Sequence, residues 1–466
     1  MADRILIEAG TVLTMDPDLG VLEPGQILVE DGKIVDVGAD LGVTDAERIS
    51  MPSAIAMPGF VDTHRHTWQA PLRLLASDWT LGHYLMGIHS GFSKHFRPED
   101  TYIGNLLGTS EALDSGITTL LDWSHNLATP AHSDAAIEGL KDSGARAVFA
   151  HGSGNEQWSN LPSPIPHSDD VKRLRDQYFS SEDQLVTLAM ALRGPQFATK
   201  EATLADYALA KEVGTRITVH VSDGEWGRSR PVEWLRDNDL LSDQVTYVHC
   251  NELADDELAM IADSGGTASV AATVEMQMGH GWPATGRLLD AGIRPSLSVD
   301  VCSSIGGDMF GLMQTAISSQ RALDHAHDVE EGSGLADELR LSCKDMVEFA
   351  TLQGAIATGL DDKVGSLTPG KEADLILIRT DDSLALTPMN NPWGAVVYAA
   401  HAGNVDTVLV KGRVVKRDGK LTDVDVDRVR RLALETRDYL LAEAPEDPTI
   451  AGAGVGGDWI PEQVRA

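Results

Sequence analysis

Between residues 55 and 300 the chain repeats one unit: a helical stretch, a glycine just past it, then a short apolar strand. The strand-like runs are 55–61, 117–122, 145–151, 185–190, 217–220, 245–249, 268–271 and 296–300. Helical stretches such as 203–213 and 254–262 separate them. Gly116, Gly144, Gly214, Gly265 and Gly292 stand at the helix C-cap positions. Eight such units predict an α/β fold, a distorted (β/α)₈ TIM barrel. A doubly wound sheet is the alternative, but no Gly-rich phosphate loop follows the first strand.

The two ends of the chain have another texture. Runs 5–7, 11–14 and 27–29 are β-rich, and Asp31-Gly32 marks a hairpin into 34–37. The same texture returns at 373–378, 407–410 and 413–415. Two distant segments of like character predict a small β-sandwich domain built from 1–56 and 365–420, with the barrel spanning 57–364. The remainder, 421–466, reads as a C-terminal helix and tail. Val429, Leu432, Leu440 and Leu441 fall on one stripe of that helix. The Gly-rich stretch 451–457 is expected to be mobile or to pack on a neighbouring subunit. A length of 466 residues suits one large and one smaller domain.

Charge narrows the partners. The chain carries 37 Lys and Arg against 71 Asp and Glu, a net −34. Nucleic acid and anionic membranes both need a basic footprint, so neither is expected as a partner. The N-terminus has no apolar leader core, and Cys250, Cys302 and Cys343 suggest no disulfide framework. A cytoplasmic enzyme acting on a small molecule, and assembling as a homo-oligomer, is the expectation.

The chemistry gathers at the strand ends. His64 and His66 are spaced i, i+2 at the end of the first run, which on a strand points both imidazoles to one side. Asp122, His151, His220, His249 and Asp300 close later runs. In a barrel these ends converge on one face. His64, His66, His220 and Asp300 supply three nitrogens and a carboxylate for one divalent ion. Zinc is the default, with cobalt, manganese or iron as alternatives. A metal of this kind can lower the pKa of a water from 15.7 to about 7, which suggests hydrolysis. Asp300 is then both ligand and base, and His249 is placed to stabilise a developing oxyanion.

These residues resemble a known family. Pro58-Gly59-Phe60-Val61-Asp62-Thr63-His64-Arg65-His66 is similar to the first-strand signature of the amidohydrolase superfamily. Val219-His220, Val248-His249 and Val299-Asp300 resemble its later ligand and catalytic strands. Gly354-Ala355-Ile356-Ala357-Thr358-Gly359-Leu360 resembles the family's return into its small β-domain, as does the stretch from Gly365 to Leu375. The resemblance runs over 1–420 and implies hydrolysis at carbon centres, most often of C–N bonds. It is nearest the aminohydrolase and chlorohydrolase branch acting on triazine, purine and pyrimidine rings, and to xenobiotic urea and thiocarbamate hydrolases.

Against that branch the chain departs at two places. Asp223 stands where a Glu usually shuttles a proton to a ring nitrogen, and Asp is one methylene shorter. Glu275 stands where an Asn is usual, and is read as a substrate contact. No Lys lies in 189–194, so a carboxylated-lysine two-metal site is not expected. Trp68 and Gln69, just past the His pair, are read as substrate-binding, with Trp79, Tyr84, Trp123 and Trp226 as further candidates for an aromatic cleft. Cys250 and Cys302 are read as buried fillers.

The altered shuttle favours direct attack on an amide, urea, carbamate or thiocarbamate in a small aromatic or apolar molecule. This would be the manner of phenylurea and molinate hydrolases, with Asp223, His249 and Asp300 carrying the catalysis. The alternative is a deaminase or dechlorinase of a heteroaromatic ring. A non-catalytic scaffold is a third reading, disfavoured because all four ligand positions are filled.

Overall fold

The structure is a computed structural model and describes residues 4–158, 161–334 and 336–443. The 451–457 stretch and the Trp226 side chain, both named above, lie outside the described residues. Eight parallel strands form one sheet in sequential order. They are β1 (Phe60–Arg65), β2 (Ile117–Ser124), β3 (Arg146–His151) and β4 (Val186–Leu192), followed by β5 (Arg216–Val221), β6 (Val245–His249), β7 (Thr267–Val270) and β8 (Ser296–Leu297). Each is buried almost end to end, as a parallel sheet covered on both faces requires. A helix follows every strand, from Pro98–Asp114 after β1 to Met309–Glu331 after β8. The five cap glycines all adopt positive φ, which closes the preceding helix and aims the chain into the next strand.

The barrel closes where β8 is shortest. Only Ser296–Leu297 is strand, and the chain then turns so that Asp300 bridges Arg65. The Asp300 amide donates to the His64 carbonyl at 2.8 Å, and the His66 amide donates to the Asp300 carbonyl at 2.8 Å. Asp62 adds a side-chain stitch, its Oδ1 accepting from the Val299 amide at 3.0 Å. The seam that closes the barrel is thus built from the residues around the His pair.

The chain ends build one continuous nine-stranded sheet. Strand Glu47–Pro58 is its junction, parallel to Arg4–Leu13 on one side and antiparallel to Leu375–Ile378 on the other. Strands from both termini enclose one apolar core, with Ile7, Ile27 and Ile49 against Leu367, Leu375 and Leu409. Glu47–Pro58 runs through Gly59 straight into β1. A Cβ at Gly59 would sit 2.1 Å from Thr118 Oγ1, so only glycine lets the sheet strand pass so close to β2. Arg146 of β3 ties the two parts together, donating from Nε to Asp374 at 2.9 Å and also contacting Glu372.

The last described helix, Val426–Glu443, packs on Pro98–Asp114 through Val429 against Ile103 and Leu106. Its far end inserts Leu440 and Leu441 beside Trp68 and Phe96. Among the described residues no helix is long and apolar enough to cross a membrane.

Candidate active site and metal centre

Four strand ends meet in one buried cluster. Alternation along β1 puts His64 and His66 on the same side, with ring centroids 4.6 Å apart. His220, near the end of β5, brings its ring to 4.8 Å from His64. His249 ends β6, 5.4 Å from His220. Asp300 enters from beyond β8, with Oδ1 at 3.3 Å from His64 Nε2 and 3.4 Å from His66 Nε2. His249 and Asp300 hold φ of 77° and 66°. Such left-handed geometry at non-glycine residues costs about 1–3 kcal/mol each, and it collects at functional sites.

The donor set fits a divalent cation. Donor atoms of His64, His66 and Asp300 lie within 4.8 Å of one another, as do those of His64, His220 and His249. His64 has no hydrogen-bond partner at either ring nitrogen, and His220 has none at Nδ1. Buried polar atoms are rarely left so. His66 Nδ1 faces the Trp123 carbonyl at 2.9 Å. A carbonyl only accepts, so Nδ1 carries the hydrogen and Nε2 keeps its lone pair toward the cluster. Burial, first of all, drives the pKa of His64, His66 and His220 down, favouring the neutral imidazole that a metal ligand needs. Burial opposes the charge on Asp300 too, but His64, His249 and His66 outweigh it and hold its carboxyl well below the usual range.

His249 and Asp223 form a second, proton-bearing pair beside that cradle. His249 Nε2 is 3.1 Å from Asp223 Oδ1, and its Nδ1 is 3.2 Å from Glu275 Oε1. Burial works against a charged His249, yet Asp223, Glu275 and Asp300 raise its pKa to about 9. Burial pushes Asp223 the other way, up to about 6, with His249 holding it back. Gln196 Nε2 donates to Asp223 Oδ2 at 2.5 Å, and its Oε1 accepts from the Ser222 amide at 2.6 Å. This grip, with Ser222 at a φ of 69°, carries the short Asp223 side chain to the cluster despite its missing methylene.

A narrow cleft opens over these groups, lined by His66, His220, Asp223, His249 and Asp300 and walled by Tyr84, Phe197, Trp158 and Met278. Three other candidates sit behind its wall. Trp68 is fully buried and donates from its indole to His125 Nδ1 at 3.0 Å. Gln69 is spanned between the Tyr84 and Ser303 hydroxyls. The Glu275 carboxylate is occupied by His249, Asn251 and the Ala271 amide. Asp122 and His151, though at strand ends, are turned elsewhere. Asp122 accepts from the Thr67 amide at 3.3 Å, and His151 pairs with His167 at 2.8 Å.

Sequence reasoning missed His89, His125 and His280, which also line the cleft. His125 follows β2 directly, so the logic applied to His66 would have reached it. His89 lies amid short irregular turns between β1 and the first barrel helix, and His280 between two glycines, where no periodicity points at a site. His125 Nε2 lies 3.1 Å from His89 Nε2. Since the Trp68 indole can only donate, His125 carries its hydrogen on Nε2 and gives it to His89.

A closed parallel barrel with imidazoles and an aspartate converging from β1, β5, β6 and the β8 end defines a hydrolase of the metal-dependent barrel class. The chain belongs to the amidohydrolase family, whose profile matches residues 55–415, and it is accordingly an enzyme acting on non-peptide C–N bonds. It is similar to a 5-methylthioadenosine/S-adenosylhomocysteine deaminase of Symbiobacterium thermophilum, 30% identical over 434 residues, covering 89% of this chain and 94% of that protein. Among solved structures it is similar to a zinc-bound adenosine deaminase from Xanthomonas campestris, with a TM-score of 0.82, 25% identity, and coverage of 94% and 98%. It shares its fold with an atrazine chlorohydrolase from Arthrobacter aurescens, with a TM-score of 0.79, 23% identity, and coverage of 93% and 100%.

Proposed function

We propose that this enzyme hydrolyses the exocyclic amino group from a heteroaromatic ring, giving the ring carbonyl and ammonia. The observation that carries this reading is Asp223, a carboxyl raised to about 6, gripped by Gln196 and facing His249 in the cleft. A carboxyl raised in this way can hold a proton and give it to a ring nitrogen, which ring deamination requires. The deaminase names borne by the relatives support the same reading over the amide, urea or carbamate hydrolysis expected from the sequence.

His64, His66, His220 and Asp300 would hold the cation, with zinc the first choice for three imidazoles and one carboxylate. Bound there, it supplies Lewis acidity that makes a water nucleophilic at neutral pH. Asp300, with Oδ2 turned toward His249 at 3.9 Å, takes the proton the attacking water gives up. Asp223 delivers a proton to the ring nitrogen next to the reacting carbon, so that the ring accepts the electron pair. His249, held by Glu275, donates toward the oxygen that becomes the product carbonyl. Breaking the C–N bond releases ammonia, with the first water proton passed from Asp300 to the departing nitrogen and the second returned to Asp223 as the carbonyl forms. Tyr84, Phe197, Trp158 and Met278 keep the ring in an apolar slot.

The test is product analysis on zinc-loaded protein. Ammonia should be released from aminopurines, aminopyrimidines or aminotriazines, and no amine from phenylureas or thiocarbamates. Amine release from the latter without ammonia from the former overturns the reading.

A further inference from the structure

Among the described residues that line the cleft, His280 is the imidazole with both ring nitrogens unpaired. It follows the short helix Ala272–Met278, whose C-cap is Gly279, and it precedes Gly281. The flanking glycines hold φ of 88° and 128°, and the His280 amide donates to the Glu275 carbonyl at 2.8 Å. One short helix therefore does two things. Its Glu275 side chain steadies His249 from behind, and its C-terminal turn delivers His280 to the front of the same ring, at 4.8 Å between centroids. His280 is 3% exposed, and neither ring nitrogen has a hydrogen-bond partner. Its Nδ1 stands 3.8 Å from Asp223 Oδ1, close to but short of a hydrogen bond.

A buried imidazole with two unpaired nitrogens is costly unless something else pairs with it. His280 lies outside the His64, His66, His220 and Asp300 cradle and lines the cleft. We propose that His280 reads the edge of the substrate ring beside the nitrogen served by Asp223, selecting an uncharged heteroaromatic ring that presents a hydrogen-bonding atom there. This rests on the deaminase reading above. A neutral imidazole offers one donor and one acceptor, so it pairs with a ring nitrogen, a ring N–H or a ring carbonyl. Beyond Asp223 and Asp300, whose roles are given above, the described lining residues include no carboxylate, lysine or arginine, which fits an uncharged ligand. A site built to pair with such an edge rejects rings that lack it far more strongly than an apolar slot does.

Two variants of the zinc-loaded enzyme test this. His280→Phe keeps a flat ring and removes both nitrogens, and His280→Gln keeps a donor and an acceptor. Steady-state ammonia release is measured on adenine, guanine, cytosine and melamine. Calorimetric binding of hypoxanthine, xanthine, uracil and ammeline gives a second readout that needs no turnover. Expected for His280→Phe are a KM raised at least tenfold on the best substrate, product binding weakened in parallel, and metal content and thermal midpoint kept. His280→Gln should recover affinity to within about threefold of the parent. Should His280→Phe misfold, the inference is judged on His280→Gln against His280→Ala. The inference is overturned if the folded variants leave KM and product affinity within twofold of the parent while the parent releases ammonia. If the parent releases ammonia from no ring, the deaminase reading falls. His280 is then judged on binding alone, where equal affinities for parent and variant overturn its role.

Discussion

Glu275 Oε1 lies 3.2 Å from His249 Nδ1, and the same oxygen accepts from the Ala271 amide at 2.8 Å. One carboxylate thus anchors the start of a helix and fixes the His249 imidazole. With Nδ1 committed to Glu275, His249 can present only Nε2 to the cleft, where Asp223 and Asp300 wait at 3.1 and 3.9 Å. The position read from sequence as a departure from the family is, in the fold, an orienting group behind the imidazole.

Glu275→Gln should keep the fold and lower kcat about 10–100-fold, the usual cost of losing such an orienting partner. It also moves a titration. His249 sits at about 9 because neighbouring carboxylates favour its charged form against burial, and removing one of them lowers that value. His249 donates only while protonated, so the alkaline limb of the kcat/KM profile should move to lower pH in the variant. An unmoved alkaline limb would falsify the orienting role.

His64→Ala, His66→Ala and His220→Ala should each lower bound metal per chain, measured by plasma mass spectrometry after dialysis, and abolish activity. Chelator treatment of the parent should do the same reversibly, with zinc restoring turnover. Asp300→Asn is the finer probe. It keeps the backbone bridge to His64 and His66 but removes the proton acceptor, so activity should fall about 10²–10⁴-fold. Full metal occupancy and full activity in both His64→Ala and His220→Ala would exclude this cradle.

Asp223→Asn should cost about 10²–10⁴ in deamination by removing the proton carrier. Asp223→Glu should stay within about tenfold of the parent if a carboxyl at this point is what matters; a fall of about 10²-fold, the cost of a shift near 1 Å where placement is tight, would show that the reach of the shorter side chain matters as well. Equal rates for Asp223→Asn and the parent would put the ring proton on another group.

Much of the site could be read from the chain because barrel strands are continuous apolar runs, and a polar residue ending such a run has one place to go. His64, His66, His220, His249 and Asp300 were legible for that reason. Asp122 and His151 obeyed the same rule but turned away, since a side chain's direction at a strand's last residue depends on local twist rather than on composition. His89 ends a π-helical turn and Gln196 lies in a four-residue helix, each too short to show a period. Glu275, read from sequence as a substrate contact, turns its carboxylate to His249, and a helix start looks alike whether its carboxylate faces substrate or a neighbouring imidazole. In the fold, the alternation of strand and helix was legible. The Arg146–Asp374 tie between the two sheets was not, because its partners are 228 residues apart.

That tie gives the last prediction. Arg146 is 2% exposed and forks onto Asp374 at 2.9 and 3.0 Å, with Glu372 beside it. Asp374 Oδ1 also accepts from the Lys411 amide at 2.8 Å, so the pair stitches β3 to the C-terminal strands of the other sheet. Arg146→Met fills a similar volume but leaves the buried Asp374 carboxyl without its cation, while Glu372 keeps Lys411 Nζ at 3.5 Å, and this should cost about 3–5 kcal/mol of folding stability. The loss should persist at high salt, because buried pairs are poorly screened. The proposed metal cradle draws on other strand ends, so kcat per folded molecule should be unchanged. Denaturant titration at low and high salt, with activity normalised to folded protein, checks both halves. A loss under about 1 kcal/mol, within the range of exposed ion pairs, would show that the barrel and the terminal sheet hold together without this arginine.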